Sequence, residues 1–167
     1  MSNTRKLIFY SLCSVILVVS KEVLAFLPNI ELVSLLLIIF TLNLGLKVGV
    51  LISSIFSLLQ MLLYGISFWS LFYLVIWAIL CLFTYLLRKY LTNYDRVAIF
   101  SGFYGLIFGL LFSIPYFLIS VQAGISYYTL GITFDLVHCL GNYLLAVLLF
   151  DRLNNVFKYL ANKYLLC

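Results

Sequence analysis

Two long stretches without a single charge constrain this chain more than any other feature. Val48 to Leu87 runs for 40 residues, and Val97 to Phe134 for 38, with no Asp, Glu, Lys or Arg. A helix that crosses the hydrocarbon core of a bilayer needs about 20 apolar residues. Runs of this length therefore predict helical pairs or long spans, not the core of a soluble domain. Composition agrees. Of the 167 residues 66% are hydrophobic and 9% charged, against about 25% charged in a soluble domain. The first apolar run ends in Lys21, Glu22 and large residues. That is not a small-residue cleavage pattern, so no cleaved signal peptide is expected.

The predicted fold is an all-α membrane protein of six transmembrane helices, with both termini cytoplasmic and a short amphipathic helix as C-terminal tail. The first helix is expected over Lys6 to Phe26 and stops before Pro28, because the residue preceding a proline is pushed out of helical geometry. The second covers Glu31 to Gly45 and the third Lys47 to Ile66. Gly65 to Ser70 supplies the turn within the first uncharged run, with glycine, serines and an interfacial tryptophan, Trp69. The fourth helix covers Leu71 to Tyr90 and the fifth Tyr94 to Ile119. Gln122 to Thr133 reads as a loop, and the sixth helix as Phe134 to Phe150. Residues 1–150 thus form one membrane domain. Residues 151–167 alternate charged and apolar residues at helical spacing and read as a helix lying on the membrane surface.

Charge then orients the spans, since basic residues collect on the cytoplasmic side. With six spans, Arg5, Lys6, Lys47, Arg88, Lys89, Arg96, Arg152, Lys158 and Lys163 fall on one side and Lys21 alone on the other. The net charge of +5 is accounted for by cationic edges meeting anionic lipid and calls for no nucleic acid. The outer side carries Lys21, Glu22, Asn29, Glu31 and Asp135 with Trp69, Gln122, Tyr127 and Tyr128, the polar and aromatic mixture of a binding mouth.

Polar residues inside the spans need a reason, because hydrocarbon penalises them. In the sixth helix Asp135, His138 and Asn142 stand at i, i+3 and i+7, within an arc of about 60° at 100° per residue. This stripe runs inward from the outer face. It can line a ligand site. Alternatively, Asp135 caps its helix and the other two bond neighbouring helices. Gln60 and Tyr64 lie one turn apart in the outer half of the third helix and allow the same two readings. Lys21 and Glu22 either snorkel to the interface or pair with Glu31 or Asp135 across the mouth. Asn43, near the cytoplasmic end of the second helix, reads as structural.

The fifth helix carries Ser101, Gly105, Gly109 and Ser113 at intervals of four. Small residues in this pattern let another helix approach closely. Pro115 is expected to kink the helix and free a carbonyl that could line a cavity. No nucleophile elbow, HExxH or P-loop is present, so no catalytic set and no cofactor are expected. Cys13, Cys81, Cys139 and Cys167 are scattered singly, which indicates neither a metal site nor a redox pair. Cys167 ends the sequence, so a prenylation box is not expected.

The segments Phe26 to Leu36 (FLPNIELVSLL), Gly109 to Phe117 (GLLFSIPYF) and Gly131 to Phe150 (GITFDLVHCLGNYLLAVLLF) resemble substrate-binding S components of energy-coupling factor transporters from Gram-positive bacteria. Six short helices, small size and a polar outer mouth fit the same family. The resemblance implies an S subunit that binds a vitamin or related micronutrient from outside. It also implies association with a transmembrane coupling protein and two cytoplasmic ATPases, and toppling in the membrane to carry substrate inward. Family ligands contact the first outer loop and the outer parts of helices four to six, which implies roles for Asn29, Glu31, Trp69, Asp135, His138 and Asn142. Many S components dock their coupling protein on an alanine-xxx-alanine pattern in the first helix. Here Ser11-Leu12-Cys13-Ser14-Val15 departs from it, and Ser11 and Ser14 are the nearest equivalents. Two other classes remain in view: a non-transport membrane scaffold held by the small-residue stripe, and an intramembrane enzyme using Asp135 and His138.

Overall fold

A computed structural model describes residues 3–165; Cys167 lies outside them. Six helices follow one another: α1 (Asn3–Val23), α2 (Val33–Leu44), α3 (Leu46–Tyr64), α4 (Phe68–Leu87), α5 (Tyr94–Phe117) and α6 (Val121–Leu165). Four of them, α3 to α6, are long and apolar enough to cross a membrane. The six helices expected from sequence are all present, and two of them, α1 and α2, fall outside that group. In α1 only 14 residues lie between Lys6 and Lys21, and α2 has only 12 residues, about 18 Å of helix. Shortness has a cause in α2. It is apolar all round, and Val33 to Thr41 are buried without interruption, so it is a central helix wrapped by the others.

Cross-helix contacts fix the directions. Ser14 Oγ donates to Ile52 O (3.3 Å) and Gln60 Nε2 to Glu22 Oε1 (3.3 Å), so α1 and α3 run parallel. Phe72 meets Phe112 and Trp77 meets Phe108, so α4 and α5 are antiparallel. Gly102 abuts Cys139 and Gly109 abuts Asp135, so α5 and α6 are antiparallel. Up-down alternation follows throughout. It puts the basic residues at the starts of α1, α3 and α5 and at the ends of α4 and α6 together at one end of the bundle, the basic end. Lys21, Glu22, Glu31 and Asp135 lie toward the other.

Local chemistry sets the boundaries. Gly45 and Gly65, both at φ +84°, turn the chain between helices with no Cβ in the way, a conformation that L side chains resist. Ser67 and Ser70 form a reciprocal capping box, satisfying the orphan donors at a helix start. That is why α4 begins three residues before the expected Leu71. Asn93 caps α5 by accepting from Arg96 N (3.1 Å). Pro115 sits in the last turn of α5, which ends two residues later at Phe117.

The largest correction concerns α6. Gln122 to Thr133 is not a loop, and the tail is not a separate helix. A single 45-residue helix covers both, about 67 Å long against a hydrocarbon core of about 30 Å. Tertiary contacts explain the missed segment. Phe117 seats against Gly124, and Tyr116 stacks on Tyr127 with ring centroids 4.2 Å apart. At the other end Phe157 packs on Phe40 (4.7 Å) and Phe9 (5.8 Å), and Asn43 Nδ2 donates to Asn154 Oδ1 (2.8 Å). Large apolar side chains face outward around the bundle, among them Leu62 and Leu130 on helices and Ile66 and Leu118 just past helix ends, each about 80% exposed. Water would reject such a belt, whereas lipid tails accept it.

Candidate site at the cation-poor end

The segment between α1 and α2 carries Pro28, then Asn29 at φ +56°. Asparagine tolerates this left-handed conformation better than most residues. The Asn29 side chain donates from Nδ2 to Phe134 O (3.2 Å). Proline, the left-handed turn and this bond lay the segment across α6. Behind it opens a cavity of about 300 Å³, with Lys21, Asn29, Glu31, Tyr64, Trp69 and Tyr73 among its walls. Trp69 and Tyr73 are one turn apart on α4, with ring centroids at 4.2 Å. The Lys21 ammonium lies 4.8 Å from the Tyr64 ring centroid and 5.9 Å from that of Trp69, within the range at which a ring face attracts a cation. Aromatic faces, one ammonium and one carboxylate thus surround a space at the lower end of the usual ligand-pocket range.

Two polar groups flank this cavity. In the first, Glu22 Oε1 accepts from Gln60 Nε2, Oε2 accepts from the Tyr64 hydroxyl, and Lys21 Nζ stands 3.7 Å from Oε1. Gln60 and Tyr64, one turn apart on α3, are therefore brought together by an acid at the end of α1. Glu22 pairs with neither Glu31 nor Asp135. The second group surrounds Glu31. His138 Nε2 lies 3.4 Å from Glu31 Oε1, and Ser34 Oγ donates to the same oxygen (3.5 Å). Asn142 Nδ2 in turn donates to Ser34 Oγ (3.2 Å) and weakly to Ser101 O (3.4 Å). Hydrogen bonds thus run from Asn142 through Ser34 to Glu31, and His138, one turn from Asn142 on α6, stands near the same carboxylate without a hydrogen bond to it.

The α6 stripe is therefore divided. His138 stands directly behind Glu31. Asn142, 1% exposed, is turned into the junction with α2 and α5. Asp135 lies 14 residues inside α6 and caps nothing. Its Oδ1 accepts from Gly109 N (2.9 Å). The structure places Asp135 and Asn142 at helix contacts rather than on the cavity wall. Their seats are the small residues of α5. A Cβ on Gly105 would stand 2.8 Å from His138 O, and one on Gly109 would collide with the Asp135 carboxylate. Ser101 and Ser113 are buried on the same helix, and Ser113 Oγ donates to Leu110 O (2.7 Å). On α1, Ser14 is buried and bonded to Tyr10 O and Ile52 O, whereas Ser11 is exposed, so the two do not share one outward face.

Among the described residues eight buried side-chain polar atoms lack a hydrogen-bond partner: Asp135 Oδ2, His138 Nε2, Asn142 Oδ1, Gln60 Oε1 and Ser101 Oγ here, and one each on Thr41, Trp77 and Thr84 elsewhere. Such atoms are costly, and each calls for an explanation. Among the described residues no three His, Cys, Asp or Glu side chains converge as a metal set. Sequence reading missed Tyr73 as a wall. The one-turn spacing from Trp69 was the available signal. Comparison with known protein families, curated sequences and solved structures returns no match to this chain.

Proposed function

We propose that the protein is a membrane-embedded substrate-binding subunit of the S-component type, serving an energy-coupling factor transporter in a bacterial cytoplasmic membrane. Its six helices would form a multi-pass bundle with both termini on the cytoplasmic side. The supporting observation is the cavity of about 300 Å³ at the end of the bundle opposite the basic residues, walled by Lys21, Glu31, Trp69 and Tyr73. A cavity at that end faces outside if basic residues face the cytoplasm. Its substrate is a small, partly polar micronutrient with a flat ring. Trp69 and Tyr73 offer the ring faces, and Glu31 and Asn29 offer polar fixing points. With no nucleotide-binding motif in the chain, energy comes from a coupling protein and two ATPases.

The scaffold reading depended on a free small-residue stripe on α5. That stripe is filled by α6 through Gly105 and Gly109, which favours the binding subunit. The test is mass spectrometry of small molecules retained by the purified protein, with identification of proteins that copurify. One ring-bearing compound near 1:1, lost with Trp69→Ala, together with a coupling protein and ATPases, is the expected result. Absence of any retained compound, with copurification of unrelated proteins, overturns the proposal.

A further inference from the structure

At the basic end a groove opens between the first half of α1 and the last turns of α6. Its volume is about 640 Å³, more than twice that of the outer cavity. Ile8, Leu12 and Ile16 of α1, spaced one turn apart, form one wall, and Phe157 and Leu160 of α6 the other. Phe9 and Cys13 make the floor at 9% and 3% exposure, while Ile8, Leu12 and Ile16 are each about half exposed. Among the described residues the charged ones lining it are Arg5 and Lys163. Lys163 Nζ stands 5.5 Å over the Tyr164 ring.

We infer that this groove holds one acyl chain of an anionic phospholipid, with the headgroup phosphate between Arg5 and Lys163. Three observations support a lipid of this charge. Both charged lining residues are cationic, and among the described residues no acid lines the groove. From Arg5 to Ile16 the α1 wall rises about 16 Å at 1.5 Å per residue, half of a hydrocarbon core about 30 Å thick and so the depth of one leaflet. Tyr164 lies at the level of the cations, where tyrosine marks the membrane–water boundary. Basic pockets between helices at a cytoplasmic face suit anionic headgroups. The site is separate from the outer cavity and does not depend on the transport reading.

The test compares phosphatidylglycerol with phosphatidylcholine of the same chains, added to delipidated protein and followed by native mass spectrometry and thermal unfolding. One phosphatidylglycerol is expected to bind per chain and raise the unfolding midpoint, with phosphatidylcholine binding about 30-fold more weakly, as two cations near an anionic headgroup predict. The double variant Arg5→Gln with Lys163→Gln should lose this preference. Arg88→Gln with Lys89→Gln, at the same end but outside the groove, should keep it. Equal binding of the two lipids by the unaltered protein, equal loss in both double variants, or a protein partner that covers the groove and excludes lipid would each overturn the inference. The comparison on the unaltered protein stands even if a double variant fails to fold.

Discussion

The two polar groups beside the cavity at the cation-poor end are built from similar parts and differ in where their carboxylate stands. Around Glu22, both carboxylate oxygens are engaged by Gln60, Tyr64 and Lys21. Tyr64 is 54% exposed there. Around Glu31 the setting is dry. The side chains of Glu31 and His138 are 13% and 4% exposed, and His138 Nε2 and Asn142 Oδ1 have no hydrogen-bond partner. The first group reads as a tether between α1 and α3, in which Gln60 Oε1 is also left without a partner. The second holds a carboxylate at a cavity wall with bonding capacity unspent. What separates the two groups is therefore position: Glu31 lines the cavity and Glu22 does not.

The comparison is broken most severely through the seat of the second group. Gly105→Leu drives a side chain into the His138 carbonyl, and backbone cannot yield as a side chain end can. A loss of about 3 kcal/mol is expected from overpacking, read as an unfolding midpoint about 10 °C lower in a thermal scan. Next comes the contrast of the two acids. Glu31→Ala should weaken binding of the retained compound about 10- to 100-fold, the range for a hydrogen bond to a charged group. Glu22→Ala should change it less than threefold. Equal effects in titration calorimetry would remove the distinction between the groups.

A smaller effect tests how Glu31 is held. Asn142→Ala removes the donor to Ser34, with an expected cost of about 1 kcal/mol and a midpoint about 3 °C lower. The affinity should fall no more than about fivefold, since Asn142 reaches the cavity only through Ser34 and Glu31. A loss as large as that of Glu31→Ala would make Asn142 a direct ligand contact. Smallest of all, Glu22→Gln keeps an acceptor for Tyr64 and should shift the midpoint by less than about 2 °C, as surface substitutions do.

Much of the fold could be read from particular residues. The uncharged runs gave α3, α4 and α5 to within about three residues at most of their ends, and the distribution of lysine and arginine matches the basic end. Gln122 to Thr133 resisted because its glycines, serine and threonines resemble a loop when taken alone. Only Phe117 on Gly124 and Tyr116 on Tyr127 make it helix. The polar stripe of α6 was legible as a stripe, since Asp135, His138 and Asn142 share a face by periodicity. Its division was not. Asp135 meets Gly109, 26 residues away, and Asn142 meets Ser34, 108 residues away, and no local pattern encodes either pairing.

The sequence by itself marked the chain for lipid and told its two ends apart: apolar length suits lipid, helical periodicity puts chosen residues on one face, and the sign of the charges separates the two ends. These are properties of short segments, set by each residue's own transfer free energy and geometry. Tertiary structure alone decided which neighbour each face meets. Close approach at Gly105 and Gly109 turned part of the stripe into helix contact, and a left-handed turn at Asn29 carried Glu31 in front of His138. Such outcomes depend on how whole helices fit together, and packing is a property of pairs of surfaces that neither segment holds alone.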